Sequence, residues 1–153
     1  MSRFAACPFC SLRLDRVARA YAELHDRGVE VLVVFPSSLE RLRRYADKYK
    51  PPFRVVADPD ERILSLYQVE NSWKGELRSI VNPGKVVRAL RAAKQNPLAV
   101  DSAVHQMPAD FLIDRNVIEQ VRYGERLDDG FDPSHVLRWA NSARSAASDN
   151  TVQ

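Results

Sequence analysis

Leu12, Val17, Ala20, Tyr21 and Leu24 recur at helical spacing, with Arg13, Arg16, Arg19 and Glu23 between them. That periodicity predicts an amphipathic helix over residues 7–26, with its polar positions turned to water and Gly28 as its stop. Val29-Glu30-Val31-Leu32-Val33-Val34-Phe35 follows. It is a β-branched run with little alternation, the pattern of a strand buried on both faces. Pro36-Ser37-Ser38 breaks it, a second helix is expected over 39–50, and Pro51-Pro52 ends that helix. Residues 53–57 read as a short strand, and Asp58 or Asp60 is placed to cap a helix over 61–67.

Residues 71–106 carry the least regular pattern. Asn82-Pro83 has the form of an N-cap and first-turn pair. Val86, Leu90 and Ala93 mark the inner side of a helix that Pro97 stops, and Lys85, Arg88, Arg91 and Lys94 line its other side. Such a basic face is ordinarily solvated, and residues 97–106 read as a surface loop. Residues 109–114 and 117–123 flank Arg115-Asn116, and two strands joined by so short a turn make an antiparallel hairpin. A last helix, capped near Asp132-Pro133-Ser134, carries Val136, Leu137, Trp139 and Ala140. From Asn141 the chain is rich in Ser, Ala and Asn without periodicity, which predicts a disordered tail over 141–153. The expected domain is 1–140, with 72–106 an irregular helical insertion. Crossover connections make the early strands parallel and the hairpin adds antiparallel ones, so the expected α/β fold is a mixed sheet with helices on both faces.

At 153 residues the chain is one domain with enough length for a core of its own. An apolar content of 45% and a charged content of 28% are ordinary for a globular protein. No apolar run reaches the roughly eighteen residues of a membrane span, and the first residues lack the pattern of a signal peptide. The expectation is a cytoplasmic protein with no membrane partner. A formal net charge of +3, spread over scattered arginines, gives no nucleic-acid footprint.

The chemistry lies in Cys7-Pro8-Phe9-Cys10, which holds the only two cysteines of the chain. Two thiols three residues apart at a helix start can close a disulfide within one turn. The first meets unpaired backbone N–H groups and the positive end of the helix dipole. That field favours thiolate and can lower a cysteine from about 8.5 to roughly 7 or below. Pro8 suits a first turn, where its missing N–H costs nothing, and Pro8 and Phe9 between the thiols influence their redox potential. A structural zinc site wants four ligands. His25, His105 and His135 show no ligand spacing near the pair, so no metal or cofactor is expected. A merely structural cysteine pair is the remaining bland reading. In a reducing compartment a close pair beside a βαβ pattern points to thiol–disulfide exchange.

Met107-Pro108 stands immediately before the hairpin, where a proline has no ladder N–H to lose. Taken with Phe4-Ala5-Ala6-Cys7-Pro8-Phe9-Cys10, the 29–35 strand, Phe53-Arg54-Val55-Val56-Ala57-Asp58-Pro59 and Met107-Pro108-Ala109-Asp110-Phe111-Leu112-Ile113-Asp114, it carries a resemblance. The chain resembles the thioredoxin-like superfamily and, within it, the redoxin branch of alkyl hydroperoxide reductases and thiol-specific antioxidants. The resemblance covers residues 4–140, with 72–106 the least typical part. It implies a three-layer thioredoxin-like sandwich with Cys7 as the attacking thiol and Cys10 as the resolving one. Pro108 would be a cis-proline facing the pair, and the Met107 backbone would bond an extended substrate. The substrate class implied is a protein or small-molecule disulfide, or a hydroperoxide, with a cellular thiol as reductant.

The chain departs from that family at two places. Peroxidatic sites carry Thr or Ser three residues before the cysteine, and Phe4 stands there. Arg78, Arg115 and Arg122 are candidates for the usual arginine, with none assigned. Thiol–disulfide exchange therefore leads, with a thiol peroxidase or a non-enzymatic redox-sensing module as the alternatives. In the family the strand before the C-x-x-C pair is central, and six residues precede Cys7 here. The resemblance places no acid to manage the proton of the resolving thiol, and the expectation is either a natural start that lies upstream or a truncated first central strand; if truncated, it implies reduced stability and a gap that invites pairing with another chain, a homodimer included.

Overall fold

The computed structural model describes residues 1–2, 8–69, 107–126 and 129–149. The helix expected over 83–95, the loop over 97–106 and the rest of the 72–106 insertion lie outside the described residues. In chain order the elements are α1 (Pro8–Asp26), β1 (Leu32–Phe35), α2 (Leu39–Tyr49), β2 (Arg54–Ala57), α3 (Arg62–Leu66), β3 (Ala109–Asp114), β4 (Val117–Tyr123) and α4 (Pro133–Asp149).

Each early element ends where its chemistry ends it. Past α1, Gly28 takes φ +73° and its N–H donates to His25 O at 2.8 Å, while Val29 N–H donates to Leu24 O at 2.9 Å. A left-handed residue that satisfies the last carbonyls is a common helix stop. It also occupies the N–H of Val29, and the strand expected from 29 begins at Leu32. Ser38 caps α2 through its side chain, and Lys50 closes it in the left-handed region before Pro51. The Asp58 carboxylate accepts from Arg62, Ile63 and Leu64 N–H at 3.0, 2.9 and 3.0 Å, which satisfies the open end of α3.

β1 and β2 pair in parallel, from Leu32 opposite Arg54 to Phe35 opposite Ala57. β3 and β4 form the antiparallel hairpin, with Arg115 and Asn116 both at positive φ in the two-residue turn. Leu112 faces Gln120 and Ile113 faces Ile118, so Glu119 is an extra residue on β4. Its carboxylate accepts from Trp139 Nε1 of α4 at 2.6 Å, and neighbouring Gln120 meets His135 Nε2 at 2.8 Å. Leu14, Val33, Phe35, Leu42, Tyr45 and Phe53 make the buried cluster that joins α1 and α2 to the parallel strands.

No ladder bond joins the two strand pairs directly among the described residues. Met1 and Ser2 lie between them. Ser2 N–H donates to Val34 O at 2.9 Å, Met1 N donates to Ala109 O, and Ala109 N–H donates back to Met1 O at 3.4 Å. The exchange of both bonds by one residue pair sets this short segment antiparallel to β3. The result is a mixed α/β architecture of helices and two small sheets, bridged at one end.

Two expectations are corrected here. The tail expected from Asn141 is helical to Asp149. Its anchors are polar and escape a search for apolar periodicity: Asn141 accepts from Arg27 Nη1 at 3.1 Å, and Arg144 Nη2 donates to Arg27 O at 3.0 Å. Arg13, expected to face water, is 8% exposed. Among the described residues no helix is long and apolar enough to cross a membrane.

Candidate functional site

Cys10 sits in the first turn of α1 and is 2% exposed. Helix geometry places it one turn before Arg13, on the side of α1 that packs inward. Cys7 lies outside the described residues, as do the side chains of Pro8 and Phe9, whose backbone opens α1.

Met107 and Pro108 are both buried at the start of β3. Gly124 N–H donates to Pro108 O at 2.8 Å, and a Cβ on Gly124 would stand 2.8 Å from Pro108 Cγ. Only a glycine allows that approach, so Gly124 fixes the ring of Pro108 against the end of β4. The cis bond expected before Pro108 is not found, because no peptide bond among the described residues is cis. An X–Pro bond favours trans by about 0.5–1 kcal/mol.

A buried polar cluster joins the helix of Cys10 to the strand of Pro108. Arg13 Nη2 donates to Asp110 Oδ1, and Arg13 Nη1 donates to Met1 O at 3.1 Å. Asp110 Oδ2 accepts from Phe131 N–H at 2.8 Å, and the Met1 amine lies 3.9 Å from Asp110 Oδ1. Gly130 closes the cluster from the loop before α4; a Cβ there would meet both Arg13 Nε and Asp110 Oδ2 at 2.5 Å. These bonds tie the helix that carries Cys10 to the strand that follows Met107-Pro108.

The electrostatics follow from burial. Desolvation, helped by the Arg13 charge and opposed by Cys10, lowers the Met1 amine from 8.0 to about 4. Tyr45 is pushed well above its ordinary value, first by burial and then by Tyr49, Cys10 and Asp15. Cys10 is thus within electrostatic reach of both groups. At 2% exposed, its thiol is shielded from casual attack by solvent reagents. Among the described residues no three His, Cys, Asp or Glu side chains are grouped to hold a metal ion.

The structure therefore describes Cys10, Met107 and Pro108 of the residues singled out by sequence, and adds Arg13, Asp110 and Gly130 beside them. Asp110 had a visible signal, as an acid inside the apolar run Ala109-Asp110-Phe111-Leu112-Ile113. Arg13 had none, because its spacing matches the solvent side of α1.

The family model described as AhpC/TSA family matches residues 2–121. Among curated proteins, none matches the chain.

Proposed function

The chain belongs to the AhpC/TSA family, a family of oxidoreductase and peroxidase-type proteins, and on that footing we propose that it is a thiol–disulfide oxidoreductase built on a thioredoxin-like sandwich. The Cys7 thiolate attacks one sulfur of a substrate disulfide, forming a mixed disulfide and releasing the first substrate thiol. The Cys10 thiolate then attacks Cys7 Sγ, releases the second thiol and leaves a Cys7–Cys10 disulfide. A cellular thiol returns the two electrons. Backbone groups of Met107 and Pro108 orient an extended substrate, and Pro8 and Phe9 set the potential of the pair.

The observation that supports this reading is Cys10 itself. It is buried in the first turn of α1, the helix that Arg13 ties to Asp110 of β3, the strand that follows Met107-Pro108. A resolving thiol is best kept from bulk solvent, and a thiol on a residue 2% exposed has that shielding. The test is reduction of a protein disulfide driven by dithiothreitol. Cys7→Ser abolishes turnover under this reading, and an unchanged rate in that variant sinks it.

The family favours a second reading, a thiol peroxidase. There the Cys7 thiolate attacks the terminal oxygen of a hydroperoxide, the O–O bond breaks with release of an alcohol or water, and Cys10 condenses onto the resulting sulfenic acid with loss of water to give a Cys7–Cys10 disulfide. Phe4 in place of the usual hydroxyl counts against it. Oxidation of the reduced pair by hydrogen peroxide far faster than that of free cysteine would move the peroxidase to first place.

A further inference from the structure

A cavity of about 450 Å³ opens between α1, β4 and the loop into α4. Its size lies within the range of small-molecule sites. Arg13, one turn past Cys10, lines it with a guanidinium already given to Asp110 and Met1 O. Gly130 and Phe131 line it as well, and these two residues close on Asp110. The cavity therefore adjoins the bonds that tie the cysteine helix to β3.

Its charges are segregated by element. Arg16 comes from α1 and Arg122 from β4, while Asp129 and Asp132 come from the loop into α4. Side chains two apart on a strand share a face. Gln120 meets His135 of α4, so Arg122 lies on the side of β4 that looks to α4, opposite Asp110 in the ladder. Each acid is held through one oxygen. Asp129 Oδ2 accepts from Glu125 and Arg126 N–H at 2.9 Å, and Asp132 Oδ1 accepts from Ser134 N–H at 2.9 Å and from its hydroxyl at 2.6 Å. Among the described residues the second oxygens, Asp129 Oδ1 and Asp132 Oδ2, accept no hydrogen bond. The Ser134 bonds hold the Asp132 carboxyl below its ordinary value, with smaller help from Arg16 and Arg138, so it is an anion at neutral pH. The Phe131 and His135 rings stack at 5.1 Å and 5°, and with Val17 and Pro133 they supply the apolar part of the lining.

Two guanidinium groups and two carboxylates in one small cavity complement a zwitterion rather than a simple anion or cation. An arginine binds a carboxylate through paired N–H donors, and a carboxylate oxygen accepts from an ammonium. We infer that this cavity binds the α-amino acid end of a small ligand, with its carboxylate on Arg122 and Arg16 and its ammonium on Asp129 and Asp132. The ligand's identity rests on the proposed function: it is the thiol that returns two electrons to the Cys7–Cys10 disulfide. Its thiolate attacks Cys7 Sγ, and Cys10 leaves as a thiolate. A second thiolate attacks the ligand sulfur, Cys7 leaves as a thiolate, and the two ligands depart as their disulfide. The protons of the two ligand thiols end on Cys7 and Cys10.

The probe for the site is S-methyl-L-cysteine, which carries the amino acid end and no thiol. It is titrated into the full chain and followed by amide chemical shifts. The expected result is saturable one-to-one binding, with shifts at Gly130, Phe131 and His135. N-acetyl-S-methyl-L-cysteine lacks the ammonium and methylthioethylamine lacks the carboxylate, and each should bind roughly fivefold or more weakly. Arg122→Gln and Asp132→Asn should each weaken the first probe to a similar degree. Arg122 is exposed and asparagine keeps the helix cap, so both variants fold. No saturable binding, equal binding of the three probes, or variants that bind like the native chain would overturn the site. The rate of reduction of the Cys7–Cys10 disulfide by L-cysteine, divided by that with β-mercaptoethanol, should fall by a similar factor in Arg122→Gln. An unchanged ratio would overturn the assignment of the reductant. Because the probe has no thiol, its binding is read independently of turnover at Cys7, so failure of the site and failure of the exchange reading are distinguishable.

Discussion

Arg13 of α1 and Asp110 of β3 form an ion pair with side chains 9% and 20% exposed, one helical turn past Cys10 and two residues past Pro108. The pair is part of a closed set, since Asp110 also accepts from Phe131 and Arg13 also donates to Met1. It couples the position of the cysteine helix to the start of the hairpin.

Removing one member leaves the other charge buried without compensation. Asp110→Asn is expected to cost about 3 kcal/mol or more in urea unfolding, in the range of broken buried pairs. Replacing both, Arg13→Met with Asp110→Leu, should recover most of that loss, because two apolar groups leave no orphaned charge. A double variant as unstable as Asp110→Asn would contradict the role given to the pair.

Asp58 holds α3 by three backbone N–H groups and is 6% exposed. Asp58→Ala should therefore cost about 2 kcal/mol, the upper end for a helix cap. Asp58→Asn keeps one acceptor oxygen and should fall between. Amide exchange at Ile63 and Leu64 reports the loss locally, and unchanged protection in Asp58→Ala would contradict the assignment.

The Met1 amine gives a pH dependence with a definite sign. In the chain that starts at Met1 the folded state holds this group at about 4 against an ordinary 8.0. Between those values the unfolded chain binds a proton that the folded chain excludes. Stability is therefore lost as pH falls from 8 toward 4, by at most about 1.4 kcal/mol per pH unit. Below about 4 both states are protonated and this contribution is flat. Urea unfolding at pH 5, 6 and 7 measures the slope; equal stabilities across that range would contradict burial of the amine.

Much of the fold was legible because it rests on local rules. The turn at Arg115-Asn116 and its flanking apolar runs give β3 and β4 at their observed bounds. Asp58 and Pro51-Pro52 mark their helix ends for stereochemical reasons that need no tertiary context. The readings that failed are those decided by distant partners. Arg13 occupies a solvent-type position in the helix pattern, and Asp110, ninety-seven residues away in sequence, draws it inward. Residues 141–149 lack periodicity and are held by polar bonds to Arg27. The desolvated amine of Met1, held between two strands, depends on the far wall supplied by Ala109. Of the candidate chemistry, Cys10, Met107 and Pro108 are placed in the structure, whereas Cys7 lies outside the described residues.

The most direct measurement is the mass of the covalent species formed by Cys10→Ser after mixing with an aromatic disulfide such as 5,5′-dithiobis(2-nitrobenzoate) at low excess, followed by peptide mapping. The expected species is a single mixed disulfide on Cys7 that persists in the variant. In the native chain it is replaced by a Cys7–Cys10 disulfide, with release of the second aromatic thiol. A native chain that retains the adduct on Cys7, or an adduct that decays equally fast in the variant, would contradict the pairing of these two thiols on which the proposed function depends.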